Sequence, residues 1–263
     1  MKRVRLRKLV AVANQKGGVG KTTTSVNLAA AVALSGPTVL LVDMDPQSNA
    51  TSGLGVAPHS LRRSVYDCLS DATKVEEVIV PTGVPRLSLL PANAELVGAE
   101  IELVSMPNRE HTLKTTLAPL QDRYEVILLD CPPALGLLTI NALVAASSVL
   151  VPVQCEYYAM EGLGRLLANV ERVQSALNPS LELEGILLTM YDSRNSLSRQ
   201  VADEIRGHFK EKVYRTIIPR NVTLAEAPSY GRPVMLYNAA SAGAQAYLEL
   251  AKEFLNHGEK STG

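Results

Sequence analysis

The run Asn14-Gln15-Lys16-Gly17-Gly18-Val19-Gly20-Lys21-Thr22-Thr23 gathers three glycines, two lysines and two threonines into ten residues. That mixture suits one task, holding a chain of phosphates. Gly17, Gly18 and Gly20 let the backbone turn tightly and aim its N–H groups at phosphate oxygens. Lys21 supplies a point charge for the outer phosphates, Thr22 offers a hydroxyl to Mg²⁺, and the N-terminus of a following helix adds its dipole. The run follows an apolar stretch, 9–13, and opens a helical pattern, which is the context a phosphate-binding loop requires. The usual G-x-x-x-x-G-K-[ST] spacing would place glycine where Gln15 stands, and a second lysine, Lys16, occupies the front of the loop instead.

Carboxylates at strand ends complete the chemical inventory. Asp43-Met44-Asp45-Pro46-Gln47-Ser48-Asn49 follows the apolar run 38–42, and Asp130 ends the apolar run 126–129. Acids at the C-terminal edge of a parallel sheet stand where ligands bind in such folds. Asp130 is suited to holding a magnesium shell through water, and Cys131 beside it reads as packing. Between Asp192 and Arg232 there are eight Lys/Arg and five Asp/Glu, a local surplus of three positive charges in a chain of zero net charge. A local cluster of this kind is what binding to a nucleic-acid backbone needs.

The elements that must position these groups alternate along the chain. Apolar runs predict strands at 9–13, 38–42, 86–90, 126–129, 149–153, 185–190 and 213–218. Helical patterns fall at 22–34, 64–70, 95–104, 108–120, 136–146, 159–177, 196–210 and 239–256. Strands apolar on both faces and alternating with helices predict an α/β fold: a single doubly wound, mostly parallel sheet with helices on both faces. No linker or repeat divides the 263 residues, so one domain is expected over 9–257, between a basic arm, 1–8, and a tail, 258–263.

Composition excludes several classes. Hydrophobic residues make up 46% and charged residues 20%, which rules out a disordered or collagen-like chain. Equal numbers of basic and acidic residues, 26 each, exclude a global basic field. With no Trp, two Phe and nine Tyr, aromatic platforms for single-stranded nucleic acid are lacking. Cys68, Cys131 and Cys155 are far apart and form no C-x-x-C pair, so they read as reduced, buried thiols. The apolar stretch after the basic start is too short for a secretory or membrane segment, and a cytoplasmic protein is expected.

The loop with its additional Lys16, the Asp-x-Asp-Pro-Gln-x-Asn string at 43–49 and the Ala-Glu-Ala-Pro-Ser-Tyr-Gly segment at 225–231 resemble the ParA/Soj chromosome- and plasmid-partition ATPases, of the deviant Walker A group. That resemblance covers nearly the whole chain. It implies Mg²⁺-dependent ATP hydrolysis to ADP, with Lys16, Gly17, Gly18, Val19, Gly20, Lys21, Thr22 and Thr23 around the phosphates. Asp45 positions or activates the attacking water, and Thr22, Asp43 and Asp130 form the metal network. It also implies that Lys16 reaches the phosphates of a second subunit in an ATP-dependent homodimer. Pro219 and Asn221 contact adenine, while Arg194, Arg220 and Arg232 contact double-stranded DNA without sequence preference. A ParB-type centromere-binding protein stimulates a slow intrinsic turnover, and the protein works at the nucleoid, without a membrane.

Two other functions use the same fold. A MinD-like membrane-associated division-site ATPase would carry a basic amphipathic C-terminal helix; here 247–255 holds two acids and one lysine. An iron–sulfur carrier would need thiolates at a dimer face. The basic arm is open to three readings: DNA contact, partner contact or a solubilising tail.

Overall fold

The protein is described by a computed structural model, covering residues 8–70 and 73–257. Its centre is a seven-stranded sheet built from short aliphatic runs: β1 (Lys8–Val12), β2 (Val39–Asp43), β3 (Val80–Pro81), β4 (Leu87–Leu90), β5 (Val126–Asp130), β6 (Ser148–Gln154) and β7 (Glu182–Thr189). The spatial order is β3-β4-β2-β5-β1-β6-β7, and every pairing is parallel except that of β3 with β4. β2 and β5 are buried at every position, as strands covered on both faces must be.

Helices α1 (Lys21–Leu34), α2 (Asn49–Gly53), α3 (Val65–Ser70), α4 (Leu96–Glu102), α5 (Thr112–Leu117), α6 (Leu137–Ala145), α7 (Ala159–Ala176), α8 (Ser196–Phe209), α9 (Val222–Glu226), α10 (Val234–Tyr237) and α11 (Ala242–Asn256) surround it. Two apolar cores result, one on each face. One packs Leu28, Ala31 and Val32 of α1 with Tyr247, Leu250 and Phe254 of α11 against Val10, Leu41 and Leu128 of the sheet. The other packs Leu143 of α6 and Leu163 of α7 with Leu129 and Val149 of the sheet. The doubly wound α/β architecture expected from the alternating pattern is therefore present.

The sheet register does the first part of the positioning. Asp43 stands opposite Asp130 on the neighbouring strand, and Asp130 opposite Val12. Adjacent parallel strands lie about 4.8 Å apart, so two carboxylates and the entrance to the glycine loop share one sheet edge.

Three expectations need correction. Segment 213–218 is no strand: it makes only isolated bridges, Ile186 with Val213 and Tyr191 with Pro219. Between them, the Glu253 carboxylate accepts the backbone N–H groups of Arg215 (2.7 Å) and Thr216 (2.9 Å) and the Thr216 hydroxyl (2.8 Å), so those donors are spent on a side chain. The seventh strand is instead the two-residue edge strand β3, where Pro81 has no N–H to give and an edge position tolerates it. Lys8, placed in the basic arm by sequence, belongs to β1. Its ammonium donates to Glu184 (2.6 Å) and to the Phe254 carbonyl (2.9 Å). The rest of the arm, and the tail at 258–263, lie outside the described residues.

Candidate functional site

The glycine loop links β1 to α1, and its conformation demands the glycines it has. Gly18 and Gly20 have φ of +75° and +86°, in the left-handed region that side chains with a Cβ seldom enter. A Cβ at Gly17 or Gly18 would meet no atom within 4 Å, so the front of the loop is open to an incoming ligand. Side chains outside the loop tie it down. Asn14 donates from Nδ2 to the Pro152 carbonyl (2.7 Å) and accepts the Lys16 N–H (3.0 Å), while the Thr189 hydroxyl donates to the Val19 carbonyl (2.9 Å). The loop is thereby held by β6 and β7.

The two lysines of the loop have opposite surroundings. Lys21 is buried, at 7% exposure, and donates to the Lys16 carbonyl (3.1 Å). Burial lowers its pKa, against the pull of Asp130, Cys131 and Asp45. The Lys16 side chain is 44% exposed and forms an ion pair with Glu156, in the loop between β6 and α7. The sequence alone does not single out Glu156; only its contact with Lys16 marks it.

The acids divide their hydrogen bonds unequally. Asp43 is saturated: Oδ2 accepts the Thr51 N–H (2.8 Å) and hydroxyl (2.7 Å), and Oδ1 accepts the Asp45 N–H (3.1 Å). Its hydrogen bonds all run to the 45–51 segment and none to the glycine loop. Asp45 Oδ1 accepts the Gln47 N–H (3.0 Å). Asp130 Oδ1 accepts the Ser25 hydroxyl (2.7 Å), but its buried Oδ2 has no partner. Burial raises the pKa of Asp130, the nearby Asp43 raises it further, and the hydroxyls of Ser25 and Thr22 pull it back. Asp43 is likewise raised, chiefly by burial. Ser25 does not stand out in the sequence, although it lies one helical turn beyond Lys21 on the same face of α1.

An orphaned carboxylate oxygen beside a threonine hydroxyl is a fitting donor set for Mg²⁺, which prefers oxygen and keeps several waters. Among the described residues this is one of two buried side-chain polar atoms without a partner. The other is Asn221 Oδ1. Next to the loop, a cleft of about 510 Å³ is lined by Thr22, Thr23, Asn27, Leu224 and Arg232. Asn49, Ser52 and Gly53 line it from the other side, and nearby in the chain Gly55 and Gly231 meet backbone to backbone, where a Cβ on Gly231 would lie 2.6 Å from Gly55 Cα. The cleft therefore joins the segment that follows Asp45 to the segment that carries Arg232.

Of the three arginines expected to contact DNA, Arg194 and Arg220 share one neighbour, Asp192, and Arg232 lines the cleft. Arg194 makes a two-pronged contact with Asp192 (3.0 and 2.9 Å), which holds that carboxyl down at about 2. Arg220 also acts on Asp192, and its N–H donates to the Tyr191 carbonyl (2.9 Å). Arg232 lies by the cleft, beside Thr22 and Thr23. Pro219 and Asn221 flank Arg220, Pro219 being the partner of Tyr191 in the last bridge. All three cysteines are buried and free, and burial raises each thiol, to about 12 for Cys68 and about 11 for Cys155.

Known proteins share this geometry and much of this sequence. A family model described as an AAA domain matches residues 7–183. The sporulation initiation inhibitor protein Soj of Bacillus subtilis is 55% identical over 251 residues, covering 95% of this chain and 99% of that protein. The chromosome partitioning protein ParA of Myxococcus xanthus is 50% identical over 248 residues, covering 94% and 88%. The chain belongs to the Soj/ParA family of chromosome-partitioning ATPases. A crystal structure of the Mycobacterium smegmatis cobyrinic acid a,c-diamide synthase with ADP and magnesium superposes with a TM-score of 0.85. That protein is 40% identical, with 97% of this chain and 96% of that one covered. The Pyrococcus furiosus cell division ATPase MinD superposes at 0.78 with 25% identity, over 95% and 98% of the two chains. Family membership agrees with the loop, the strand-end acids and the sheet order, all of which this Soj/ParA chain displays.

The helix that a MinD-like membrane switch would lay on lipid is occupied here. In α11, Tyr247, Leu250, Ala251 and Phe254 are buried in the core shared with α1. No described helix is long and apolar enough to cross a membrane.

Proposed function

We propose that this protein is a DNA-segregation switch in which ATP joins two copies and hydrolysis separates them. One observation carries the reading: of two lysines in a single phosphate loop, Lys21 is buried beneath the seat and Lys16 faces outward, where a second copy can reach it. Two triphosphates facing each other bring many negative charges together. A lysine from each side offsets that repulsion, so nucleotide and partner stabilise one another. On dimerisation Lys16 exchanges Glu156 for the partner's phosphates.

Within each site, Gly17, Gly18, Val19, Gly20, Thr22 and Thr23 cradle the phosphates and Lys21 neutralises the outer ones. Thr22 and Asp130 hold Mg²⁺, with Asp43 keeping the 45–51 segment in place behind them. When bound, the ion supplies charge neutralisation at the phosphate oxygens. Asp45 orients water for in-line attack, while Lys16 and Lys21 stabilise the charge that develops. Asn221 Oδ1, buried and partnerless, suits the exocyclic amine of adenine, with Pro219 packing on the ring. The loop 14–23 contains no arginine, which supports a slow intrinsic turnover raised by a ParB-type partner. Arg194 and Arg220, with Arg232 at the cleft edge, contact double-stranded DNA through its phosphates, and the dimer doubles that surface.

Asp45→Ala tests the assignment of the water-positioning acid. Phosphate release is expected to fall at least 100-fold while the affinity for ATP, measured by fluorescent-analogue displacement, changes less than threefold. Hydrolysis at the normal rate would remove Asp45 from that role.

A further inference from the structure

Helix α4 is apolar on two faces, one more than its packing uses. Leu96, Ala99 and, in the turn beyond, Leu103 are fully buried. Val97, Ile101 and Val104, at spacings of four and three, stand 55, 74 and 57% exposed, and Met106 extends the row at 37%. Other exposed large apolar residues, such as Leu34, Leu197 and Val222, are scattered along the described chain, whereas these four form one stripe. Acids accompany the stripe: Glu95, Glu100 and Glu102 lie on the same stretch of chain, with no Lys, Arg or His between Arg86 and Arg109. The cation at its far end, Arg109, which donates to the Val104 carbonyl (2.7 Å), is itself paired with Glu110. The Tyr66 hydroxyl donates to Glu102 (2.9 Å), which fixes one of these carboxylates beside the stripe. Glu100 packs so closely on Gly136 that a Cβ there would overlap its carboxylate. Gly136 caps α6 in the loop that leaves Asp130.

We propose that this stripe is the docking surface for a basic amphipathic helix of another protein. Apolar residues spaced like those of α4 would cover Val97, Ile101 and Val104, and lysine or arginine on their borders would meet the acids. An anionic membrane is disfavoured by the same carboxylates. Through Glu100 and Gly136 the surface touches the Asp130 loop, so an occupant there adjoins the nucleotide site. That consequence rests on the reading of the chain as an ATP switch; the docking itself does not.

The probe is a fluorescein-labelled synthetic helix of Lys, Arg and Leu with leucines repeating at three- and four-residue intervals, compared with a peptide of equal charge bearing serines in their place. Binding to the full-length protein with ADP is followed by fluorescence polarisation. The leucine peptide is expected to bind at least tenfold tighter than the serine peptide. Ile101→Ser is expected to weaken it at least tenfold, and Leu34→Ser, at a distant exposed site, to leave it unchanged. Equal binding of the two peptides, or of wild type and Ile101→Ser, overturns the proposal. Basal phosphate release and ATP-dependent sedimentation are read in the same samples. If both persist in Ile101→Ser while peptide binding is unaltered, the docking surface fails and the nucleotide reading stands. If Ile101→Ser instead abolishes the ATP-dependent dimer, the stripe belongs to a second copy and the proposal is overturned.

Discussion

Asp43 and Asp130 are neighbours because the β2–β5 register makes them so, and both are fully buried. Their raised pKa values mean that the folded protein holds more protons than the unfolded chain from about pH 4 upward. Stability therefore falls as pH rises through that window and is lowest above the raised values. Asp130→Asn removes the charge that burial penalises. The nucleotide-free variant is expected to be more stable than wild type at pH 8 by roughly 1–3 kcal/mol, with the difference shrinking toward pH 5, as thermal melts will show. The same variant is expected to lose the extra stabilisation that Mg²⁺ adds to ADP in wild type. A pH-independent difference would place the Asp130 proton elsewhere. At this scale the sequence is most informative where a residue acts through its type and spacing. The glycine loop, Lys21 and the strand-end acids are legible because few other tasks combine them. Ser25, Thr51 and Glu156 are not, because each matters through a partner far away in the chain or across a turn.

Among the elements, the central strands are legible because burial on both faces leaves an unbroken aliphatic run. Segment 213–218 has a similar composition and is not a strand: Tyr214 and Ile218 donate to β7 carbonyls, but between them the N–H groups of Arg215 and Thr216 go to Glu253 on α11, 37 residues or more away. Short elements escape for the opposite reason: α2, α9 and α10 are five residues or fewer, about one turn, and show no periodicity to read. Expected helices at 95–104 and 108–120 are real but shorter. α4 gives way to a 3₁₀ turn at Leu103–Ser105, and α5 to one at Ala118–Leu120, which contains Pro119. The Glu253 brace is directly testable. Glu253→Ala leaves two backbone donors without their acceptor, a loss of roughly 1–3 kcal/mol. Melting is expected to drop by about 2–4 °C per kcal/mol in a chain of this size. An unchanged melting temperature would show that water serves these donors equally well.

For the whole molecule, zero net charge supplies no global attraction to nucleic acid, so in the proposed function retention on DNA would come from a few placed cations doubled by assembly. Arg194 is already paired with Asp192, which leaves Arg220 the freer of the two. Arg220→Ala is expected to weaken retention on DNA of unrelated sequence and to reduce the slope of log K against log salt by about 0.9 for each phosphate no longer neutralised. Nucleotide affinity is expected to stay within twofold. Full DNA retention by the variant would move the binding surface away from Arg220. In the proposed switch this retention depends on assembly, and the outward-facing Lys16 would make assembly depend on the triphosphate. The most direct test is sedimentation velocity of the wild type and Asp45→Ala with Mg²⁺ and either ADP or ATP. The account predicts monomers with ADP in both, and with ATP a dimer that persists in Asp45→Ala and decays in wild type as phosphate is released. Monomers under every nucleotide, or dimers indifferent to it, would contradict it.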